Sequence, residues 1–134
     1  MFYKLADKTR ARRRKLQLQR RLVPNLQVFL NTQTVCAQMV SQFNSMIEYS
    51  LCKGAAERVQ IVEVARLAAN NTRKLSRATW FHIVRQTMKL RSMYTNIDHT
   101  RELMRYHRRL TKIYLAVDKD LVQFLDTAQL AIDL

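Results

Sequence analysis

The chain reads as all-α: a basic N-terminal helical arm, residues 1–23, followed by an antiparallel four-helix bundle, residues 24–134. Three observations carry this. A single Gly and a single Pro in 134 residues leave too few turn formers for a sheet. Apolar residues recur at helical spacing through every stretch outside the N-terminus. The cations are bunched, with eight between Lys8 and Arg21 and no acid among them.

The arm helix is expected to start after Asp7 or Thr9 as N-cap and to end near Val23. Pro24 disfavours helical geometry in the residue before it and suits the first turn of a new helix. A second helix then runs to about Cys52, with Gly54 at the left-handed position that closes helices. Leu26, Phe29, Cys36, Val40, Phe43, Ile47 and Leu51 form its inward face. Asn31, Thr34, Gln38, Ser41, Gln42 and Ser45 form the opposite one. An exposed helix face normally carries Lys and Glu, so this uncharged face suggests a contact between subunits.

A third helix over 55–70 turns Val59, Val62, Ala65 and Ala69 inward and stops at Asn70-Asn71. Ser76 is the expected N-cap of a fourth, 77–94, whose inner face is Trp80, Phe81, Val84 and Met88. The fifth is capped by Asn96 or Asp98 and runs to about Ala128. Its apolar sector holds Leu103, Tyr106, Leu110, Ile113, Tyr114, Val117, Leu121, Phe124, Leu125 and Ala128.

Charge is zoned along the chain. Residues 1–22 carry a net +8, 23–57 a net −1, 58–112 a net +10 and 113–134 a net −3, for the total of +14. On a helical wheel the arm cations encircle the axis. Arg10, Arg14 and Arg21 share one sector, Arg13 and Arg20 a second, and Arg12, Lys15 and Lys8 a third. A membrane-surface helix would gather its charges on one face instead. Cations on all sides suit phosphate that approaches from several directions. A second basic stripe, Arg101, Arg105, Arg108 and Lys112, lies opposite the apolar sector of the fifth helix. Arg66, Arg73 and Arg77 would form another only if helix ran through the Asn pair.

The expected nucleic-acid-binding residues are therefore Lys8, Arg10, Arg12, Arg13, Arg14, Lys15, Arg20 and Arg21 on the arm, with Arg101, Arg105, Arg108 and Lys112 on the fifth helix. Neither zone resembles a sequence reader. No short Gly-containing turn precedes a recognition helix, and most aromatics occupy core positions, leaving Phe2, Tyr3 and Tyr94 as exceptions. The expected partner is the backbone of double-stranded DNA, contacted without regard to sequence.

Other chemistries find little support. His82, His99 and His107 lack a Cys or carboxylate at ligand spacing, so neither metal nor other cofactor is expected. One glycine cannot build a phosphate loop. Cys36 and Cys52, about 24 Å apart along one helix, are too distant for a disulfide and are expected as reduced, buried thiols. No enzyme active site or small-molecule substrate is expected. The uncharged run Leu22–Ile47 is long enough to span a bilayer but too rich in Asn, Gln, Ser and Thr to do so.

In its size, its Arg-rich N-terminal helix ending at Pro24 and the bundle that follows, the chain resembles the major capsid proteins of filamentous archaeal viruses, the rudivirus, lipothrixvirus and tristromavirus group. The resemblance implies a virion protein whose paired copies wrap their N-terminal helices around linear double-stranded DNA in the A form and build a helical filament, with or without an envelope. It assigns the wrapping to Lys8, Arg10, Arg12, Arg13, Arg14, Lys15, Arg20 and Arg21, and places the neutral second-helix face and the acidic C-terminal end between subunits. The partner copy would be the same chain or a paralogue. The competing expectation is a cellular helical RNA- or DNA-binding module, ribosome-associated or chromatin-like, in cytoplasm or nucleoid.

Overall fold

The computed structural model describes residues 2–93 and 97–134, excepting the side chains of 2–7, 14, 15, 18, 19, 21, 23 and 97–99. Among the described residues all regular structure is helical, in three helices: α1 Phe2–Leu51, α2 Ala55–Met93 and α3 Ile97–Asp133. The five expected helices are thus three. The first two are fused in α1, and the third and fourth in α2.

Each inward face follows a seven-residue repeat. On α1 the buried positions Phe29, Gln33, Cys36, Phe43, Ile47 and Ser50 step by three and four residues or their multiples, with half-buried Val40 filling the gap. On α3 the series Leu110, Tyr114, Val117, Leu121, Phe124, Ala128 and Ala131 alternates four and three throughout. A period of 3.5 residues keeps the seam between helices continuous, as in coiled coils. The helices alternate in direction. Gln33 pairs with Ser76 and Cys36 with Thr72, setting α1 antiparallel to α2. Arg58 reaches Ala131, Arg73 reaches Asp118 and Trp80 reaches Thr111, setting α2 antiparallel to α3.

Two apolar clusters stack along this bundle. The larger, near the α1–α2 turn, is built on Phe43, Ile47, Val62, Ala65, Ala69, Leu121, Phe124 and Ala128. The smaller, toward the N-terminus of α1, joins Phe29, Ile83, Leu110 and Tyr114, with Leu22, Leu26, Leu30, Trp80, Val84 and Tyr106 packed around them. Trp80 stacks on Tyr114 at 4.7 Å between ring centroids, tying α2 to α3.

The expected boundary at Pro24 is absent because packing outweighs the local preference. Proline removes one helical hydrogen bond and crowds the carbonyl four residues back, at about 3 kcal/mol. Leu22 on one side of it and Leu26, Phe29 and Leu30 on the other all pack into the smaller cluster. Each large apolar side chain buried contributes about 1.5–3 kcal/mol, enough to hold both segments in one helix. Pro24 itself is exposed, so the orphaned carbonyl lies on the solvent side.

The Asn70-Asn71 stop also fails. Two poor helix formers cost about 1 kcal/mol together, against the burial of Ala65 and Ala69 before them and Ser76 after. Ser76 is no N-cap. It sits fully buried in mid-helix, and its hydroxyl donates to Gln33 Oε1 at 2.8 Å. Gln33 Nε2 in turn donates to the Ser76 carbonyl at 3.1 Å, making a buried polar clasp between α1 and α2.

Gly54 also has a different role. Among the described residues none has a positive φ. α1 ends instead in tightened turns, with the amides of Cys52 and Lys53 donating to the Tyr49 and Ser50 carbonyls. The Gly54 carbonyl accepts the Arg58 amide at 2.9 Å, which makes Gly54 the N-cap of α2. Glu57 follows in the first turn, where a carboxylate complements the positive end of the helix.

Among inward-facing residues, Phe81 and Met88 are corrections. Both are about half exposed, and the buried positions there are Ile83, Thr87 and Leu90. Leu51 and Ile113 also face outward. Cys36 is a buried thiol as expected, but Cys52 is exposed. The caps expected at Asn96 and Asp98, and Phe2, Tyr3 and Tyr94, lie outside the described side chains. Among the described residues no helix is long and apolar enough to cross a membrane.

Candidate nucleic-acid interface

Folding turns the zoned charge of the sequence into a polarised molecule. The antiparallel registers place Asn31, Thr79 and Lys112 at one level, since Gln33 bonds Thr79 and Trp80 bonds Thr111. Residues 1–31 and 79–112, on the N-terminal side of α1 from that level, hold seventeen of the 24 Lys and Arg and three of the ten Asp and Glu. The other half holds seven of each. The whole net charge of +14 therefore belongs to one end.

Of the expected site residues on α1, Lys8, Arg10, Arg12, Arg13 and Arg20 are exposed, while the side chains of Arg14, Lys15 and Arg21 lie outside those described. Every described side chain from Lys8 to Arg20 is exposed, Leu16 among them at 45%. The first partly buried one is Leu22. On α3, Arg101, Arg105, Arg108 and Lys112 are all exposed. They point away from the buried series Leu110–Tyr114–Val117, as their spacing of four, three and four residues requires.

The fold adds residues that no single stretch of sequence singled out. Arg85, Lys89 and Arg91 in the last turns of α2, and Arg109 on α3, are exposed at this same end. Their signal was the +10 of residues 58–112. Only the reversal of direction at the α1–α2 turn brings them alongside the N-terminal cations.

The described cations of this end have no acidic partner among the described residues. Among the described residues the ion pairs are Glu63–Arg66 and Arg73–Asp118, both in the neutral half. At the basic end seventeen cations outnumber three acids, an excess that raises the local concentration of any polyanion and weakens the compact state in its absence.

The other arginine row is occupied within the chain. Because α2 runs unbroken, Arg66, Arg73 and Arg77 do align, but toward α3. Arg66 donates to Gln129, Arg73 donates to both oxygens of Asp118 at 2.7 and 3.2 Å, and Arg77 donates to the Tyr114 hydroxyl. The Asp118 hydrogen bond pushes the Arg73 guanidinium further up from its already high pKa. This ladder locks the α2–α3 register and is not free for phosphate. A shallow hollow of about 320 Å³ beside it is lined by Leu67, Asn70, Asn71, Arg73, Lys74 and Arg77, all from α2. Among the described residues no group of three His, Cys, Asp or Glu could hold a metal ion.

Comparison with known proteins finds no family model, curated protein or solved structure that matches this chain.

Proposed function

We propose that the chain is a structural nucleoprotein subunit that binds double-stranded DNA by its phosphate backbone, without reading sequence, and packages it in a helical filament. The observation that supports this is the confinement of the net +14 to one end of the bundle, where the described Lys and Arg side chains are exposed and have no acidic partner among the described residues. If the antiparallel register of Gln33–Ser76 is carried on, α1 comes level with the last turn of α2 near Leu16, and about 14 residues, or ~20 Å of helix, would extend beyond it as the arm we propose. Lys8, Arg10, Arg12, Arg13, Arg14, Lys15, Arg20 and Arg21 would clamp the duplex. Arg101, Arg105, Arg108 and Lys112, joined by Arg85, Lys89 and Arg109, would form the surface beneath it.

A capsid-type subunit within a virion is the form of packaging we infer, from cation density, helical compactness and surfaces left for repeated contacts. The second reading, a cellular RNA- or DNA-binding module working as monomer or dimer, is favoured by one observation: α1 does not end at Pro24 as the capsid resemblance requires.

Affinity for duplexes of unrelated sequence, measured against salt, tests the binding. The slope of log K against log salt should be about −7 for the eight arm cations, and replacing Arg10, Arg12 and Arg13 by Gln should reduce it by roughly 2.7. A slope unmoved by that triple change, or marked preference for one sequence, overturns the reading. Electron micrographs decide between the two forms: filaments holding nuclease-protected DNA support packaging, whereas particles that never assemble on long duplexes support the module.

A further inference from the structure

From Leu22 to Ile47 the chain has no charged residue, although a quarter of its residues are charged. In the structure the inward half of this stretch is consumed by the core, and the outward half is left uncovered. Val28, Val35, Gln42 and Tyr49 are exposed at strict seven-residue spacing. Asn31, Gln38 and Ser45 are exposed between them, three residues after each Val or Gln. Val28, Val35 and Tyr49 are each more than half exposed. α1 thus carries two seams in heptad phase, one buried and one bare. The bare seam runs ~36 Å from Val28 to Cys52.

We propose that this outer seam of α1 pairs with the same seam of a second copy, antiparallel, about a two-fold axis near Gln38. The seam's chemistry argues against other occupants. From Val28 to Ser45 it has no cation for phosphate, the first being Lys53 over the Tyr49 ring at its far end, and its amides and hydroxyls do not suit lipid. Reversed about Gln38, the pattern sets Val28 near the partner's Tyr49 and Gln38 against its own copy, with Val35 beside the partner's Ser41 and Gln42. Thr34 and Ser45 return their hydroxyls to the carbonyls of Leu30 and Ser41. Among the described residues Gln38 and Gln42 have no side-chain hydrogen-bond partner, which leaves their amides available across the axis.

Charge selects the direction. A parallel pair would set two ends of +14 side by side, whereas an antiparallel pair puts them at opposite ends of the dimer. With the axis at Gln38, the two α1 N-termini would stand roughly 110 Å apart. The dimer would present two basic ends to one polyanion or to two, and its grip would gain by linkage. This deepens the packaging reading and rests on it for its purpose, but the pairing itself is measured without nucleic acid.

The test uses the full chain, stripped of nucleic acid, in sedimentation velocity at high salt. The mass should rise with concentration from 15.9 kDa toward twice that value. Gln38→Lys and Gln38→Glu, at an exposed position that leaves helix content unchanged, should each weaken self-association about tenfold or more through like charges at the axis. Mixing the two variants should restore it. Under mild oxidation, Gln38→Cys in a Cys52→Ser background should cross-link between copies. Wild-type Cys52 should not, because an antiparallel pair holds the two about 42 Å apart, beyond the ~7 Å reach of a disulfide. A monomer at every concentration, indifference to the Gln38 charges, or efficient Cys52–Cys52 cross-linking overturns the proposal. If the dimer forms but the salt slope on DNA is flat, the packaging reading fails and the pairing stands.

Discussion

Replacing Pro24 by Ala separates a helix boundary from a helix interior. At the first position of a new helix proline is well placed, and Ala would be neutral or slightly worse. Inside a continuous helix proline is about 3 kcal/mol worse than Ala. In α1 residues 20–28 are all helical, so Pro24→Ala restores an amide that can donate to the Arg20 carbonyl and removes the clash of the ring with it. Because Pro24 is exposed, water already serves part of that carbonyl's need, which lowers the gain to about 2–3 kcal/mol. For 134 residues the entropy of unfolding is roughly 280 cal/mol/K, so the melting temperature should rise by about 7–10 °C. Thermal unfolding followed by circular dichroism measures it, with Pro24→Gly as a control that gains about 1 kcal/mol less. An unchanged or lower melting temperature refutes the continuous helix and restores the boundary.

Gly54 caps α2 with its carbonyl, has no positive φ, and faces open space where a side chain would stand, so Gly54→Ser should stabilise by about 0.5–1 kcal/mol in chemical denaturation. Asp118→Ala strands the Arg73 fork at the α2–α3 seam. With both groups partly solvated, it should cost about 1–2 kcal/mol, and Arg73→Met with Asp118→Ala should recover part of that. A thiol reagent should modify Cys52 in the native protein and Cys36 only on unfolding. Burial pushes the Cys36 thiol and the Tyr106 phenol up from their ordinary pKa values. The unfolded chain then releases those protons first, so stability should fall as pH rises past about 8.5 and again past about 10. Equilibrium unfolding across pH 7–11 checks this, with Cys36→Ala removing the first step.

Much of the inward pattern was legible because a heptad writes itself into apolar spacing. Val62, Ala65 and Ala69, and the run from Leu110 to Ala128 apart from Ile113, face where the spacing puts them. Gln33, Ser50, Ser76 and Thr87 were not legible, since a polar residue at an inward position shows its partner only after two helices are side by side. Ser76 illustrates this: locally it is a good cap, yet Gln33, 43 residues away, uses its hydroxyl. Phe81 faces outward against expectation for the same reason. A large ring beside Trp80 looks like core, but the two are adjacent on a helix, and only Trp80 turns inward to meet Tyr114.

By itself the sequence determined that the chain is helical, that its cations come in two blocks, and that one long stretch carries no charge. Those are properties of residue type and spacing, which local physics decides. The tertiary structure alone decided that Pro24 and the Asn pair do not divide helices, because the apolar side chains holding those segments find partners only on other helices. It also decided which cations share a surface. Arg66, Arg73 and Arg77 turn toward α3, while Arg85 and Lys89 come to the same end as Arg10 and Arg101. Two zones separated along the chain became one pole of +14, since antiparallel packing brings together what sequence distance keeps apart.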